Sequence, residues 1–227
     1  MRLQVLRRLS SSGPGFLTLQ RFQARNVYAS GARSRPYRVE VLHRRGIDSV
    51  AIIPYFHHPR SGRLMVVIKV GFRPGLSLRS GLRLPLRDRR RYRWVREAVA
   101  GSLEPGDRGR RGIDARARAE LFEETGLRAC AGRGLDLGSG FFPSHGQSTE
   151  KVHVAAFRVD PSTAGAPPGD GSVNEGDSGS EAIEAGRILE MCRRGAIEDP
   201  KLEIGVSRLL RRLDRTGTAR CGGRRRS

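Results

Sequence analysis

Lysine is nearly absent from this 227-residue chain. It occurs only at Lys69, Lys151 and Lys201, and the rest of the 43 basic residues are arginine. Against 23 acidic residues this leaves a formal charge of +20, which invites a nucleic-acid reading. The arginines, however, run through the whole chain, and a lysine shortage is what a coding bias toward GC-rich codons produces without any ligand. Two runs stand out: Arg87 with Arg89, Arg90, Arg91 and Arg93, and Arg224, Arg225 and Arg226 at the end. Apart from Tyr92 and Trp94, neither carries the interleaved aromatics that stack on bases, so both read as solvated loop and tail charge, and a nucleic-acid partner is not expected. Cysteine is scarce as well. Cys130, Cys192 and Cys221 are far apart and odd in number, which argues against a disulfide framework or a cysteine-built zinc site and fits a reducing compartment. The five histidines show no zinc-ligand spacing; His57 and His58 are adjacent and point apart on a strand. No apolar run approaches the roughly 18 residues a membrane-spanning helix needs. Acidic residues are missing before Glu40, and Arg2, Arg7 and Arg8 sit in a Leu/Val stretch followed by serines. That pattern resembles a mitochondrial presequence. A short disordered extension of a cytoplasmic protein is the preferred reading.

What is present supports one folded core with poorly folding ends. Residues 1–15 read as a disordered extension ending in a Ser-Gly-Pro-Gly breaker. Alternation at Phe16, Thr18, Gln20 and Phe22 predicts a half-buried strand over 16–28. Further strands are expected at 37–42, 49–56, 64–70 and 94–100, with an exposed arginine-rich loop over 75–91. A helix is expected over 114–125, capped by Asp114 and ended by Gly126. Strands at 135–142 and 152–159 follow, then a flexible Pro/Gly/Ser/Asp-rich loop over 161–180. Helices are expected at 188–194 and 199–213, and residues 214–227 read as a disordered basic tail. Many strands, one central helix and terminal helices give an α+β domain of 16–213.

The central helix carries the chemistry. Glu120 and Glu124 are one turn apart and share a face, with Glu123 beside them. Three carboxylates on one face repel. They are tolerated on a solvated surface, or they serve where a hard divalent cation binds, since Mg²⁺ and Mn²⁺ take oxygen ligands.

These residues resemble the second half of the Nudix box, Gly-x5-Glu-x7-Arg-Glu-U-x-Glu-Glu-x-Gly-U with U aliphatic. Glu120-Leu121-Phe122-Glu123-Glu124-Thr125-Gly126-Leu127 matches every specified position after the arginine. Upstream, Ala100-Gly101-Ser102-Leu103-Glu104-Pro105-Gly106-Asp107 looks like the opening of the box. Three departures stand out: Asp107 replaces Glu, four extra residues fall in an Arg-Gly-Arg-Arg-Gly run at 108–112, and Ala119 replaces the arginine. Arg116 and Arg118 are near, but neither is in register. Flanking segments resemble the ADP-ribose and nucleoside-diphosphate-sugar pyrophosphatase branch: Val95 to Gly101, Val70-Gly71-Phe72-Arg73-Pro74, the Pro143-Ser144 loop leading to Glu150, and Gly195 to Gly205.

The resemblance implies an α/β/α sandwich, with the strands of 16–45 crossing to a neighbouring subunit in a homodimer. It implies metal-dependent splitting of a nucleotide-sugar pyrophosphate into a nucleoside monophosphate and a sugar phosphate, with Mg²⁺ (Mn²⁺ possible) as cofactor. The implied metal ligands are the Ala100 carbonyl, Glu120, Glu123 and Glu124. Glu150 is the implied water-activating base, with Glu123 as its competitor. Arg73, Glu97 and Ser144 are the implied substrate contacts. The broken box leaves an alternative open, a Nudix-fold nucleotide-binding protein with weak or no turnover.

Overall fold

A computed structural model describes residues 2–11, 15–44, 46–88, 90–168 and 179–215. Three antiparallel strands open the chain: β1 (Arg2–Ser11), β2 (Leu17–Val27) and β3 (Tyr37–Arg44), in the order β1-β2-β3. Residues 2–11 are therefore not the disordered extension that their arginines and serines suggest. Their main chain pairs along β2 from Arg2 opposite Val27 to Ser11 opposite Gln20, and backbone pairing is indifferent to polar side chains. Arg7 and Gln4 add side-chain bonds to Gln23 and Arg25 of β2.

The second, seven-stranded sheet is built on β4 (Ser49–His57) and β5 (Leu64–Gly71). They pair only from Tyr55 to His57 and then diverge. The opening is filled by β6 (Val95–Glu97) on β5 and β7 (Val99–Ser102) on β4, after the four-residue helix α1 (Pro74–Ser77) and the loop that follows it. The one strand expected over 94–100 is thus two, broken at Ala98, where the chain passes from one partner strand to the other. The long helix α2 (Gly109–Thr125) follows, then β8 (Leu135–Asp136) and β9 (Val152–Arg158), which runs parallel to β4. Strand β10 (Gly179–Glu184) pairs with β5 and leads into α3 (Ala185–Arg193) and α4 (Pro200–Arg215). Its first two residues lie in the stretch expected to be loop; residues 169–178 of that stretch, and 216–227 of the expected tail with Cys221, lie outside the described residues.

Helices cover both faces of this sheet. Val50 and Ile52 of β4 face α2, packing with Val99, Ala117 and Leu121. Ala51, Ile53 and Tyr55 face α3 and α4, packing with Ile188, Leu202, Val206 and Leu209. Burial on both faces is why β4 reads as a continuous apolar run rather than an alternation. The chain is an α+β sandwich of mixed sheet between helices, as the resemblance implied. Among the described residues no helix is long and apolar enough to cross a membrane.

Helix α2 starts five residues earlier than expected, with Arg108 in extended conformation ahead of it and Gly126 ending it at a φ of 68°. The glycine-bearing run at 108–112 has poor helix propensity, but docking of Ala117 and Leu121 in the core carries the helix back through it. The four extra residues amount to roughly one 3.6-residue turn, so they lengthen α2 with little rotation of its faces.

Candidate active site

The carboxylates of α2 meet the chain where β4 and β5 diverge. Glu124 is buried, and its Oε2 accepts the Ala100 N–H at 3.2 Å. Glu120, one turn before it, lies against Gly101: a Cβ built there would stand 1.9 Å from its carboxylate carbon. Only glycine admits such an approach of carboxylate to strand. Glu120 and Glu124 therefore meet on adjacent residues of β7. Glu123, half-buried on the same helix, has no hydrogen bond or ion pair among the described residues.

A cation already rests on Glu124. The Lys69 ammonium, on β5, stands 2.5 Å from Glu124 Oε1, and both side chains are over nine-tenths buried. Burial pushes the Glu124 carboxyl above the usual carboxylate range, with Lys69 and the Ala100 N–H opposing it. Lys69 is the register partner of Glu97 on β6, itself buried. Glu97 accepts Arg73 Nε at 2.8 Å and lies 3.7 Å from the Lys201 ammonium. Asp199 completes the group. It accepts the Ala98 N–H at 2.7 Å and the Lys201 N–H at the start of α4, and burial raises its carboxyl above the ordinary value. Arg73, Glu97, Ala100, Glu120 and Glu124 are thus brought together.

Glu150 lies in the loop two residues before β9, where its carboxylate is tied down. Ser49 Oγ donates to it at 2.8 Å, and an Arg44 nitrogen lies 3.6 Å away. Arg44 also donates to Ser102 Oγ, and Ser49 is the register partner of Ser102, next to Gly101. Glu150 is thereby linked to the end of β7. Ser144 is exposed in a turn, where its carbonyl accepts the Gln147 and Ser148 N–H groups. No contact among the described residues connects it to the carboxylates.

Arg116, out of register with the missing arginine, nevertheless has partners in the opening of the box. Its Nε donates to Asp107 Oδ2 at 2.9 Å and a second nitrogen meets Glu104 at 3.1 Å. It precedes Ala119 by three residues, on the same helix face. Desolvation pushes the Asp107 carboxyl up, but the Glu104 N–H and Arg116 outweigh it and hold it below the ordinary carboxylate value. Such a group adds stability above its unfolded pKa and loses it as pH falls through the folded one. Arg116→Ala is therefore expected to lower stability by about 1 kcal/mol or less at neutral pH, the range for a partly exposed pair. The deficit should shrink to nothing on acidification. Urea denaturation of both proteins from pH 7 to pH 3 checks this.

A hard divalent cation fits the donors in kind. They are carboxylate oxygens with no soft ligand among them, they meet at a backbone cradle that a Cβ would fill, and an ammonium already stands against one of them. Among the described residues, however, no three His, Cys, Asp or Glu side chains converge as a ready metal cluster.

Lys69, Arg44 and Ser49 carry no role in the sequence reading, Asp199 and Lys201 enter it only as part of the segment from Gly195 to Gly205, and Arg116 only as a neighbour of the box. Lys69 had a visible signal, a lone lysine inside an otherwise apolar strand. No family model matches the sequence, and no curated protein matches it. A solved structure described as the crystal structure of ADP compounds hydrolase is similar in fold, with a TM-score of 0.63 at 13% sequence identity, over 96% of this chain and 97% of that chain. At that identity the likeness is one of fold, spread over nearly the whole of both chains.

Proposed function

We propose that this chain hydrolyses the pyrophosphate bond of a nucleoside diphosphate sugar to a nucleoside monophosphate and a sugar phosphate. The observation that carries the reading is the meeting of Glu120 and Glu124 on Ala100 and Gly101, beside Arg73 and Lys69. The likeness to an ADP compounds hydrolase supports the substrate class. Glu120, Glu123 and Glu124, with the Ala100 carbonyl, would hold Mg²⁺ or Mn²⁺, which supplies positive charge against the diphosphate oxygens. The rest of the work falls to the chain. Arg73, whose side chain is 45% exposed, keeps donor capacity for a phosphate while Glu97 fixes its orientation. Glu150 accepts the proton of the attacking water, with Ser49 and Arg44 holding its carboxylate in place. Ser144 closes over the sugar end from its turn.

One observation favours the alternative of a nucleotide-binding protein with weak turnover. It is the Lys69 ammonium on Glu124, which competes with a metal ion for the same oxygen. Against it, Arg116 supplies a charge to Asp107; Ala119, in the place of the missing arginine, supplies none to the glutamates.

The test is release of nucleoside monophosphate from a panel of nucleoside diphosphate sugars with Mg²⁺ or Mn²⁺. Glu150→Gln should lower kcat by roughly 10²–10⁴-fold, the usual contribution of a general base, with KM little changed. If Glu123→Gln shows that pattern and Glu150→Gln does not, the base is Glu123. Substrate binding without turnover by the wild type would establish the alternative.

A further inference from the structure

Arginines from separate segments meet on the side of α2 away from the carboxylates. Arg110, Arg111 and Arg118 of α2 and Arg133 beyond it line a cleft of about 380 Å³ that also holds Asp114 and Asp136. A second cleft, of about 320 Å³, is lined by Arg208, Arg211, Arg212 and Arg215 of α4 and shares Asp136 with the first. Eight guanidinium groups thus surround two carboxylates. At roughly 100° per residue, Arg111 and Arg118 fall on one flank of the buried stripe Ala117, Leu121 and Thr125 and the group Arg116, Glu120, Glu123 and Glu124 on the other, while Arg110 lies in line with the stripe about two turns before Ala117.

Part of this charge is braced and part is free. Arg110 pairs with Asp136 at 2.9 Å, and Arg118 faces Asp114 at 3.6 Å while donating to the carbonyls of Cys130 and Gly132. Arg208 donates to the carbonyls of Leu137 and Ser139. Arg111, Arg133 and Arg215 have no partner among the described residues, and one nitrogen of Arg110 is buried without an acceptor. A planar fork fixed by one carbonyl or carboxylate still presents donors that match phosphate oxygens in pairs.

Two adjoining basic clefts suit a ligand with repeated phosphates better than a single one. The large exposed apolar side chains, such as Phe16, Leu17, Leu78, Leu82, Leu86 and Trp94, line neither cleft, which disfavours insertion into a lipid surface. No exposed aromatic lines them to stack on a base; Phe157, under Arg118 at 4.8 Å, belongs to the core. We propose that this face binds nucleic acid through the phosphodiester backbone, without sequence preference. The inference is independent of the hydrolytic reading and concerns none of its residues. It also runs against the expectation from sequence: the described arginines of the run at 87–93 line neither cleft, and Arg224, Arg225 and Arg226 lie outside the described residues.

The test uses the full chain and a fluorescein-labelled oligothymidylate of about 20 nucleotides, read by anisotropy in rising salt. A variant carrying Arg111→Glu, Arg133→Glu, Arg211→Glu and Arg215→Glu should bind at least about tenfold more weakly, and its salt slope should fall by about 3, or 0.7 per lost contact on a single strand. A control carrying Arg33→Glu, Arg35→Glu, Arg38→Glu and Arg60→Glu, with the same change of charge at exposed sites elsewhere, should lose less than about threefold. Circular dichroism of both variants verifies the fold. Equal losses in the two variants, or none in either, would overturn the proposal in favour of bulk charge. Loss of binding to phosphatidylserine vesicles in the face variant, with oligonucleotide binding unchanged, would overturn it in favour of a membrane surface.

Discussion

Replacing Lys69 by methionine is expected to lower the unfolding free energy by about 3–5 kcal/mol, the cost of removing one partner from a buried ion pair. The reason lies in what remains. Glu124 is 9% exposed, it stands 2.5 Å from Lys69, and only the Ala100 N–H would be left to it. Glu97, opposite position 69 across β5 and β6, would keep its backbone pairing and its contacts with Arg73 and Lys201 but face a methionine in place of the ammonium. A substitution that removes both charges, Lys69→Met with Glu124→Leu, should recover most of the loss, because an apolar pair of similar volume needs no counter-charge. The pH dependence has a definite sign. The Glu124 carboxyl is already raised by burial, and removing Lys69 raises it further. A raised carboxyl favours the folded state while protonated and costs stability as pH climbs through its folded value. Lys69→Met should therefore regain stability relative to wild type on acidification from pH 8 to pH 5. Added Mn²⁺ should raise the Tm of Lys69→Met more than that of wild type, since the ion then meets an uncompensated carboxylate. Urea denaturation across that pH range decides the matter: a deficit below about 1 kcal/mol at pH 8 would mean that the pair is not the buried contact described.

The parts of this molecule that sequence made legible are those whose physics is local. β4 and β5 announce themselves as β-branched runs because both faces are buried, and α4 by the helical spacing of Leu202, Val206, Leu209 and Leu213. Glu120 and Glu124 are legible as a pair because i and i+4 share a helix face whatever surrounds them. The parts that stayed hidden depend on pairing between distant segments. β1 is polar, and its existence rests on the backbone of β2. The break at Ala98 follows from the divergence of β4 and β5, which no local pattern encodes. Lys69 meets Glu97 only through the register of β5 on β6, and Arg116 meets Asp107 only through the path of the chain from β7 into α2. The arginine face is the extreme case. Its members come from α2, the segment after it and α4, and in the sequence they are indistinguishable from the arginines that fill the rest of the chain.

Glu120→Gln is expected to reduce turnover by at least about 10²–10³-fold, on the order seen when one preorganised electrostatic contact to a transition state is removed. Gly101→Ala should reproduce the effect without touching a carboxylate. The added Cβ would stand 1.9 Å from the carboxylate carbon of Glu120 and 2.1 Å from its Oε1, so the side chain must leave its place. What yields is the far end of a flexible side chain, not backbone or core. Gly101 is only half-buried, so the movement is expected to cost little stability. The two variants thus separate charge from position: one keeps the shape and removes the charge, the other keeps the charge and displaces it. Both should hold a urea midpoint near wild type, and both should weaken Mn²⁺ binding measured by calorimetry, a readout that does not depend on knowing the sugar. Orientation matters at this scale, because a displacement of about 1 Å at a reacting centre can cost 10²-fold. Turnover of Gly101→Ala within a few-fold of wild type, with the fold intact, would mean that the approach of Glu120 to β7 has no part in the chemistry. The metal site would then have to be built from Glu123, Glu124 and the Ala100 carbonyl.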